Sequence, residues 1–356
     1  METYKELTSL KYTALHDGLV IPAHPLALNA ARQLDERRQR ALTRYYMAAG
    51  AGGIAVGVHT TQFEIREKQH NLFEKVLQLA AEEVGKAALT RPFLQIAGIC
   101  GPTDQALYEA EIAVGLGYDL GLVSMGGLQS WTEQELLLRI EKIARIIPIF
   151  GFYLQPSVGG RVLSYDFWKE FVEIPGVAAV KMAPFNRYQT IDVVRAVCNS
   201  TRCNQIALYT GNDDNIVNDL LTTYCFEVAG VKVEKKIVGG LLGHWTVWTH
   251  KAVELLEAIK LVRNDKMLNT DWLTNHIAVT DVNAAFFDSA NKFAGCIAGL
   301  HEVLRRQGIL EGTWCLNREE VMSIGQLEEI ERVYRDYPHL HDDEFVRQHL
   351  AEWLAD

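Results

Sequence analysis

No stretch of about 18 uninterrupted apolar residues occurs in this chain, so nothing in it reads as a membrane span. The opening residues, Met1-Glu-Thr-Tyr-Lys-Glu6, lack the apolar core of a secretory leader. Lysine and arginine form no stripe interleaved with aromatics, and the net charge is −10, which argues against a nucleic-acid partner. The short basic run Arg37-Arg38-Gln39-Arg40 has acidic neighbours on an amphipathic pattern and reads as a solvated helix face. Cysteine is sparse: six residues (100, 198, 203, 225, 296 and 315) with no C-x-x-C pair and no zinc-ligand spacing. Reduced thiols in a cytoplasmic protein is the expectation that follows. Low-complexity linkers are missing, and so is glycine after Gly325.

What is present is the composition of a globular enzyme, 48% hydrophobic and 22% charged over 356 residues. That length buries a large core in one α/β domain with an appendage. Short apolar runs recur: Leu19–Ala23, Gly53–Val58, Phe93–Ala97, Leu120–Ser124, Pro148–Leu154, Val177–Lys181, Gln205–Tyr209 and Lys236–Gly239. Helix-like patterns lie between them, at 35–49, 64–88, 103–116, 132–146, 164–173, 188–198 and 213–230. Eight strands alternating with helices is the count of a (β/α)8 TIM barrel, placed at 1–265 as the catalytic domain. Ser130–Glu133 and Thr132–Glu135 both have the form of a capping box at a helix start. From about 266 the strand signal stops. Residues 281–307, 317–336 and 342–355 read as helices, giving a C-terminal helical region over 266–356 that packs on the barrel or on a neighbouring subunit.

Within the sixth run, Val177-Ala-Ala-Val-Lys-Met-Ala-Pro184, a single lysine follows four small or β-branched apolar residues. This reads as a buried parallel strand carrying Lys181 at its C-terminal tip. Burial disfavours the ammonium, and a lysine neutralised that way is a nucleophile for imine formation with a carbonyl substrate. A lysine snorkelling into a surface ion pair is the other reading of that position. In a (β/α)8 barrel the strand ends gather the chemistry. The polar residues expected there are His24, His59-Thr60-Thr61-Gln62, Ser124, Tyr153, Lys181, Tyr209-Thr210, Gly240 and His244.

On these positions the chain resembles the dihydrodipicolinate synthase/N-acetylneuraminate lyase family of Schiff-base aldolases. Thr60-Thr61 stands where the family has Gly-Thr-Thr-Gly-Glu, and Tyr153-Leu-Gln-Pro156 where it has Tyr-Asn-x-Pro. Lys181 lies 28 residues after Tyr153, as in the family. Gly211-Asn-Asp-Asp214 resembles its Gly-x-Asp turn, and Asn291-Lys292 the pair that opens a C-terminal helix. The resemblance spans roughly residues 15–310. It implies Lys181 as the imine-forming nucleophile, Tyr153 as proton shuttle, Thr60 as the hydroxyl linked to that tyrosine, and Thr61 as carboxylate holder. It also implies a homo-oligomer, dimer or tetramer, and no cofactor.

The departures bear on substrate. His59-Thr-Thr-Gln-Phe63 replaces a glycine-bounded loop, and Ser124-Met-Gly-Gly-Leu128 offers no tyrosine where the synthases place one. Pro156-Ser-Val158 carries no arginine for a second carboxylate, although Arg161 is near. A 2-oxo acid such as pyruvate with an acceptor other than the synthases' is therefore expected. His24, His59 and His244 would contact substrate or simply pack at the barrel mouth, or else hold a divalent metal in a barrel hydrolase. Val238-Gly-Gly-Leu-Leu-Gly243, which contains Gly240, reads as a tight turn beside the site, with a phosphate cradle as its alternative. A family member that binds a 2-oxo acid without catalysis is the third expectation.

Overall fold

The computed structural model describes residues 4–355. A helix absent from the sequence reading, α1 (Ser9–Asp17), precedes the first strand. The chain continues through β1 (Val20–Pro22), α2 (Glu36–Ala48), β2 (Gly53–Val56), α3 (Phe73–Ala87), β3 (Leu94–Ile99) and α4 (Thr103–Gly115). It goes on with β4 (Leu120–Val123), α5 (Glu133–Ala144), β5 (Ile149–Leu154), α6 (Tyr165–Phe171), β6 (Val177–Ala183) and α7 (Arg187–Asn199). β7 (Ala207–Thr210), α8 (Ile216–Leu221), β8 (Thr223–Val228) and β9 (Val231–Leu242) follow. Five helices close the chain: α9 (Thr249–Val262), α10 (Asp271–Phe286), α11 (Cys296–Arg306), α12 (Gln326–Asp336) and α13 (Asp343–Trp353). β1–β7 and β9 are the eight parallel strands of a nearly closed (β/α)8 barrel, with the C-terminal helices appended.

The chain forms two compact units. The first takes residues up to Leu19 together with Leu94–Leu241. Its strands run in the order β9-β7-β6-β5-β4-β3, all parallel. β3–β5 and β7 are buried on both faces, as a sheet covered by helices requires. Local signals fix the helix starts. Thr132 Oγ1 accepts from Glu135 N at 3.3 Å while Glu135 Oε2 accepts from Thr132 N at 2.7 Å, so the second of the two expected capping boxes is the one that forms. Asn186 Oδ1 caps α7 by accepting from Tyr188 N and Gln189 N.

The second unit takes Val20–Phe93 and the described residues from Leu242 onward. Here β1 and β2 are neighbours, with Ala23 bridged to Ala55. α13 packs on α2, where Tyr45 meets the Trp353 ring at 5.3 Å and its hydroxyl donates to the buried Asp342 carboxylate at 2.8 Å. Asp342 also accepts from His250 N and Gln307 Nε2.

Three stretches read as helical differ in the structure. The stretch 213–230 is not one helix: α8 ends at Leu221 and an antiparallel hairpin, β8 with β9, projects next. Thr223–Val228 alternates exposed and half-buried residues, the period of a strand. The stretch 281–307 breaks at Asp288, whose φ is 55, and restarts as α11. Asn291-Lys292 therefore does not open a helix, since Lys292 and Phe293 are both left-handed and α11 starts at Cys296. Residues 317–325 are irregular, and α12 begins only after Gly325. All six cysteines are free, and among the described residues no helix is long and apolar enough to cross a membrane.

Candidate active site

Lys181 is the fifth residue of β6, two residues short of the strand end. It pairs in register with Phe152 on β5 and with Tyr209 on β7, so these three side chains share one face of the sheet. The lysine is 8% exposed, and its Nζ stands 4.3 Å from the Phe152 ring centroid. Burial pulls the amine down from 10.5 to about 8, against an opposing pull from the Asp213 carboxylate. That depression corresponds to about 3 kcal/mol against the ammonium, more than the roughly 0.5–2 kcal/mol a ring face returns. Desolvation wins, and at neutral pH about a tenth of the amine is free base, far more than an unperturbed lysine offers.

The neighbourhood of Lys181 is shaped by residues that carry no chemistry themselves. Gly211 leaves room for the lysine stem. Asp219, fully buried on α8, accepts from Thr210 Oγ1 at 2.6 Å and Asn212 Nδ2 at 3.0 Å, and pairs with Arg187. Asn212 Oδ1 in turn accepts from Phe185 N at 3.1 Å. The connections after β6 and β7 are thus tied to one carboxylate, and Asp213 is delivered beside Lys181. Sequence reasoning missed Asp219 because it falls inside a helix pattern with no motif around it. Gly240 pairs with Thr210 and donates its N–H to Leu19 O at 3.1 Å. Its neighbour Gly239 is the one that close approach demands, since a side chain there would meet Leu19 backbone at 2.5 Å.

Tyr153 lies next to Phe152 and therefore on the other face of β5 from Lys181's partner. Its ring tilts against Trp168 of α6 at 5.1 Å. Its hydroxyl donates to Leu163 O at 3.4 Å and accepts from Leu163 N at 3.3 Å, both long for such bonds. Burial raises the phenol above its usual value.

In the second unit, a 3-10 turn (His59–Thr61) follows β2. Thr61 Oγ1 donates to His24 O at 2.6 Å and accepts from Gly57 N and Val58 N, which uses the whole capacity of a hydroxyl. Thr60 Oγ1 reaches the same carbonyl at 3.3 Å. The His24 imidazole is buried, between Pro25 O at Nδ1 and Thr43 Oγ1 at Nε2, and burial lowers it to about 4. His244 is also lowered to about 4 by burial; its ring bonds to Asn283 of α10 and stacks on Phe286 at 6.3 Å. His59 is half-buried, its ring 5.9 Å from Phe63. Among the described residues no three His, Cys, Asp or Glu side chains gather to hold a metal ion. The trio expected as a hydrolase centre is thus spread over separate contacts.

No family model matches the chain. The N-acetylneuraminate lyase of Citrobacter koseri is 25% identical over 206 residues, which cover 57% of this chain and 65% of that one. The chain therefore spans a little under two thirds of that curated relative. Solved structures agree over far more of the fold. YagE, a prophage protein of the dihydrodipicolinic acid synthase family from E. coli K12 solved with pyruvate, superposes with a TM-score of 0.72 at 16% identity, over 91% of this chain and 99% of that one. An N-acetylneuraminate lyase from Fusobacterium nucleatum gives 0.68 at 16%, over 91% and 99%. The chain shares the (β/α)8 fold of these dihydrodipicolinate synthase and N-acetylneuraminate lyase structures. The dihydrodipicolinate synthase of Oceanobacillus iheyensis gives 0.68 at 17% identity, over 91% of this chain and 97% of that one. Within this fold, Lys181 is a buried amine near the end of the sixth strand.

Proposed function

We propose that the protein is a class I, Schiff-base lyase or aldolase acting on pyruvate, a related 2-oxo acid, or its aldol adduct. The observation that carries this is the buried Lys181 amine, lowered to about 8 by burial against the pull of Asp213, with its Nζ 4.3 Å from the Phe152 ring centroid. The free amine attacks the ketone carbon, and the carbinolamine loses water to give the imine. As its protonated form, the imine draws in the electron pair from the neighbouring carbon. A C–C bond to an aldehyde then forms or breaks there, and hydrolysis returns the lysine. The synthase-type acceptor is disfavoured by the uncharged Pro156-Ser-Val158 stretch. The YagE structure with pyruvate and the N-acetylneuraminate lyase likeness both favour a pyruvate-type donor. Assembly as a homo-oligomer belongs to the same reading.

Borohydride reduction in the presence of pyruvate, followed by intact mass and peptide mapping, tests it. The expected result is one pyruvyl adduct on Lys181, absent in Lys181→Ala. No adduct with pyruvate or longer 2-oxo acids would sink the reading.

A second reading is favoured by Tyr153. The resemblance assigns proton transfer to its phenol, yet that phenol is engaged with Leu163 and its ring faces α6. Catalysis through Tyr153 requires the β5–α6 connection to release it. A protein that binds a 2-oxo acid as an imine without turnover needs no such release. Adduct formation with no consumption of any aldehyde or sugar-acid substrate would select this second reading.

A further inference from the structure

Two cysteines of the first unit meet where α7 hands over to β7. Cys198 lies in the last turn of α7, and Cys203 opens a short 3-10 turn (Cys203–Gln205) that leads into β7. The chain between them folds back on the helix end, with Ser200 N donating to Val197 O and Cys203 N to Ser200 O. This places the two thiols within hydrogen-bonding reach of each other. The turn is also clamped from outside. Thr201 N and Oγ1 donate to the Glu173 carboxylate at 3.1 and 2.8 Å, and Arg202 donates to the carbonyls of Val172, Ile174 and Val177.

A lysine completes the cluster. Lys235 of β9 donates from Nζ to Cys203 O. Burial disfavours its ammonium, and the charges that favour it are sulfur, Cys203 first and Cys198 second. An ammonium beside such a pair supplies the countercharge that an attacking thiolate needs. The two thiols differ in access. Cys203 is half-buried, whereas Cys198 is 3% exposed, and burial together with Cys203 pushes the Cys198 thiol up to about 12. Cys203 is therefore placed to meet a small solute, with Cys198 waiting behind it. All of this lies ahead of β7, whereas Asp213, beside Lys181, follows that strand. The lyase reading uses none of it.

We propose that Cys198 and Cys203 are a redox modification site, a dithiol that a hydroperoxide converts to a disulfide, with Cys203 attacking and Cys198 closing the bridge. The Cys203 thiolate attacks one peroxide oxygen; the O–O bond breaks, leaving a sulfenic acid on Cys203 and releasing hydroxide. The Cys198 sulfur then displaces the sulfenic oxygen, which departs as water with the Cys198 proton. Two electrons pass from the two thiols to one peroxide. Hydrogen peroxide added to the reduced full chain, followed by thiol blocking and tryptic mapping without reductant, tests this. Cleavage after Arg202 separates the two cysteines, so only a disulfide keeps their peptides together. Cys203 and Cys225 fall in one tryptic peptide, so Cys225→Ser is mapped in parallel. The expected result is a bridge within one chain, lighter by two hydrogens, that joins residues 196–202 to the peptide beginning at Cys203 and persists in Cys225→Ser. Cys198→Ser should stop at a sulfenic acid on Cys203, captured by dimedone. No bridge in the wild type, a bridge through Cys225, or one that links two chains overturns the proposal. Dimedone capture at other cysteines with Cys203 unmodified overturns it too. No readout here involves pyruvate, so the outcome stands apart from that of the lyase reading.

Discussion

Gly211 packs against the stem of Lys181: a methyl group on residue 211 would stand 2.5 Å from Lys181 Cε and 2.8 Å from Ala183 Cβ. Neither neighbour has room to retreat, because Lys181 and Ala183 are both buried on β6. Gly211→Ala should therefore cost about 1–3 kcal/mol of stability through overpacking. It should also slow pyruvate trapping by roughly tenfold or more, the effect of a misplaced reacting group. Thermal melts and trapping rates check this, and a variant that traps at the wild-type rate would show that the lysine is not held by this contact.

Trapping should depend on pH through the Lys181 amine. Below about 8 the amine is mostly protonated, so the rate should rise nearly tenfold per pH unit and level off above that value. Asp213 opposes the depression, so Asp213→Asn should move the midpoint lower. A midpoint that moves upward in the variant would assign the perturbation to another group. The same shift enters stability: between about 8 and 10.5 the unfolded chain binds the proton that the folded chain has lost, so Lys181 makes stability rise with pH across that window.

His24 and His244 act on the acid side. Burial lowers both to about 4 from 6.5, so between those values the unfolded chain binds more protons and stability falls as pH falls. Denaturant melts from pH 7 to pH 4 should show this loss. His244→Gln should flatten the slope, and an unchanged slope would mean that His244 is not buried neutral.

Tyr45 links α2 to the C-terminal helices by donating to Asp342 and accepting from Thr249 N at 2.8 Å. Tyr45→Phe leaves a buried carboxylate short of one donor, at a cost of about 1–3 kcal/mol. Accelerated proteolysis within 343–353 should accompany the loss, and neither change is expected in Tyr12→Phe, whose hydroxyl is exposed.

The barrel was legible because fully buried parallel strands are near-continuous apolar runs, and Lys181 was conspicuous for interrupting one. Register was not legible. Whether Phe152 or Tyr153 shares the lysine's face depends on pairing between β5 and β6, which includes an irregularity at Ile149/Phe150 that no single-chain pattern reports. The hairpin was misread because Thr223–Val228 follows closely on α8, so a short helix and a strand merged into one amphipathic stretch. Asp219, Asn212 and the link from Gln62 to Leu316 were invisible for a different reason: each is a polar side chain whose meaning lies in a partner brought close only by folding.

The β8–β9 hairpin ends at Ala229-Gly230, with φ values of 50 and 80, both residues exposed. A pair of positive φ angles at a two-residue tip is the geometry that asparagine followed by glycine adopts most readily. Alanine is the misfit, and Ala229→Asn should tighten the tip without touching Lys181. Because β8 pairs only with β9 among the described residues, the tip is also where the polypeptide can be opened or lengthened. A fluorophore, an affinity tag or a new pair of termini placed there would report on the barrel from outside its wall.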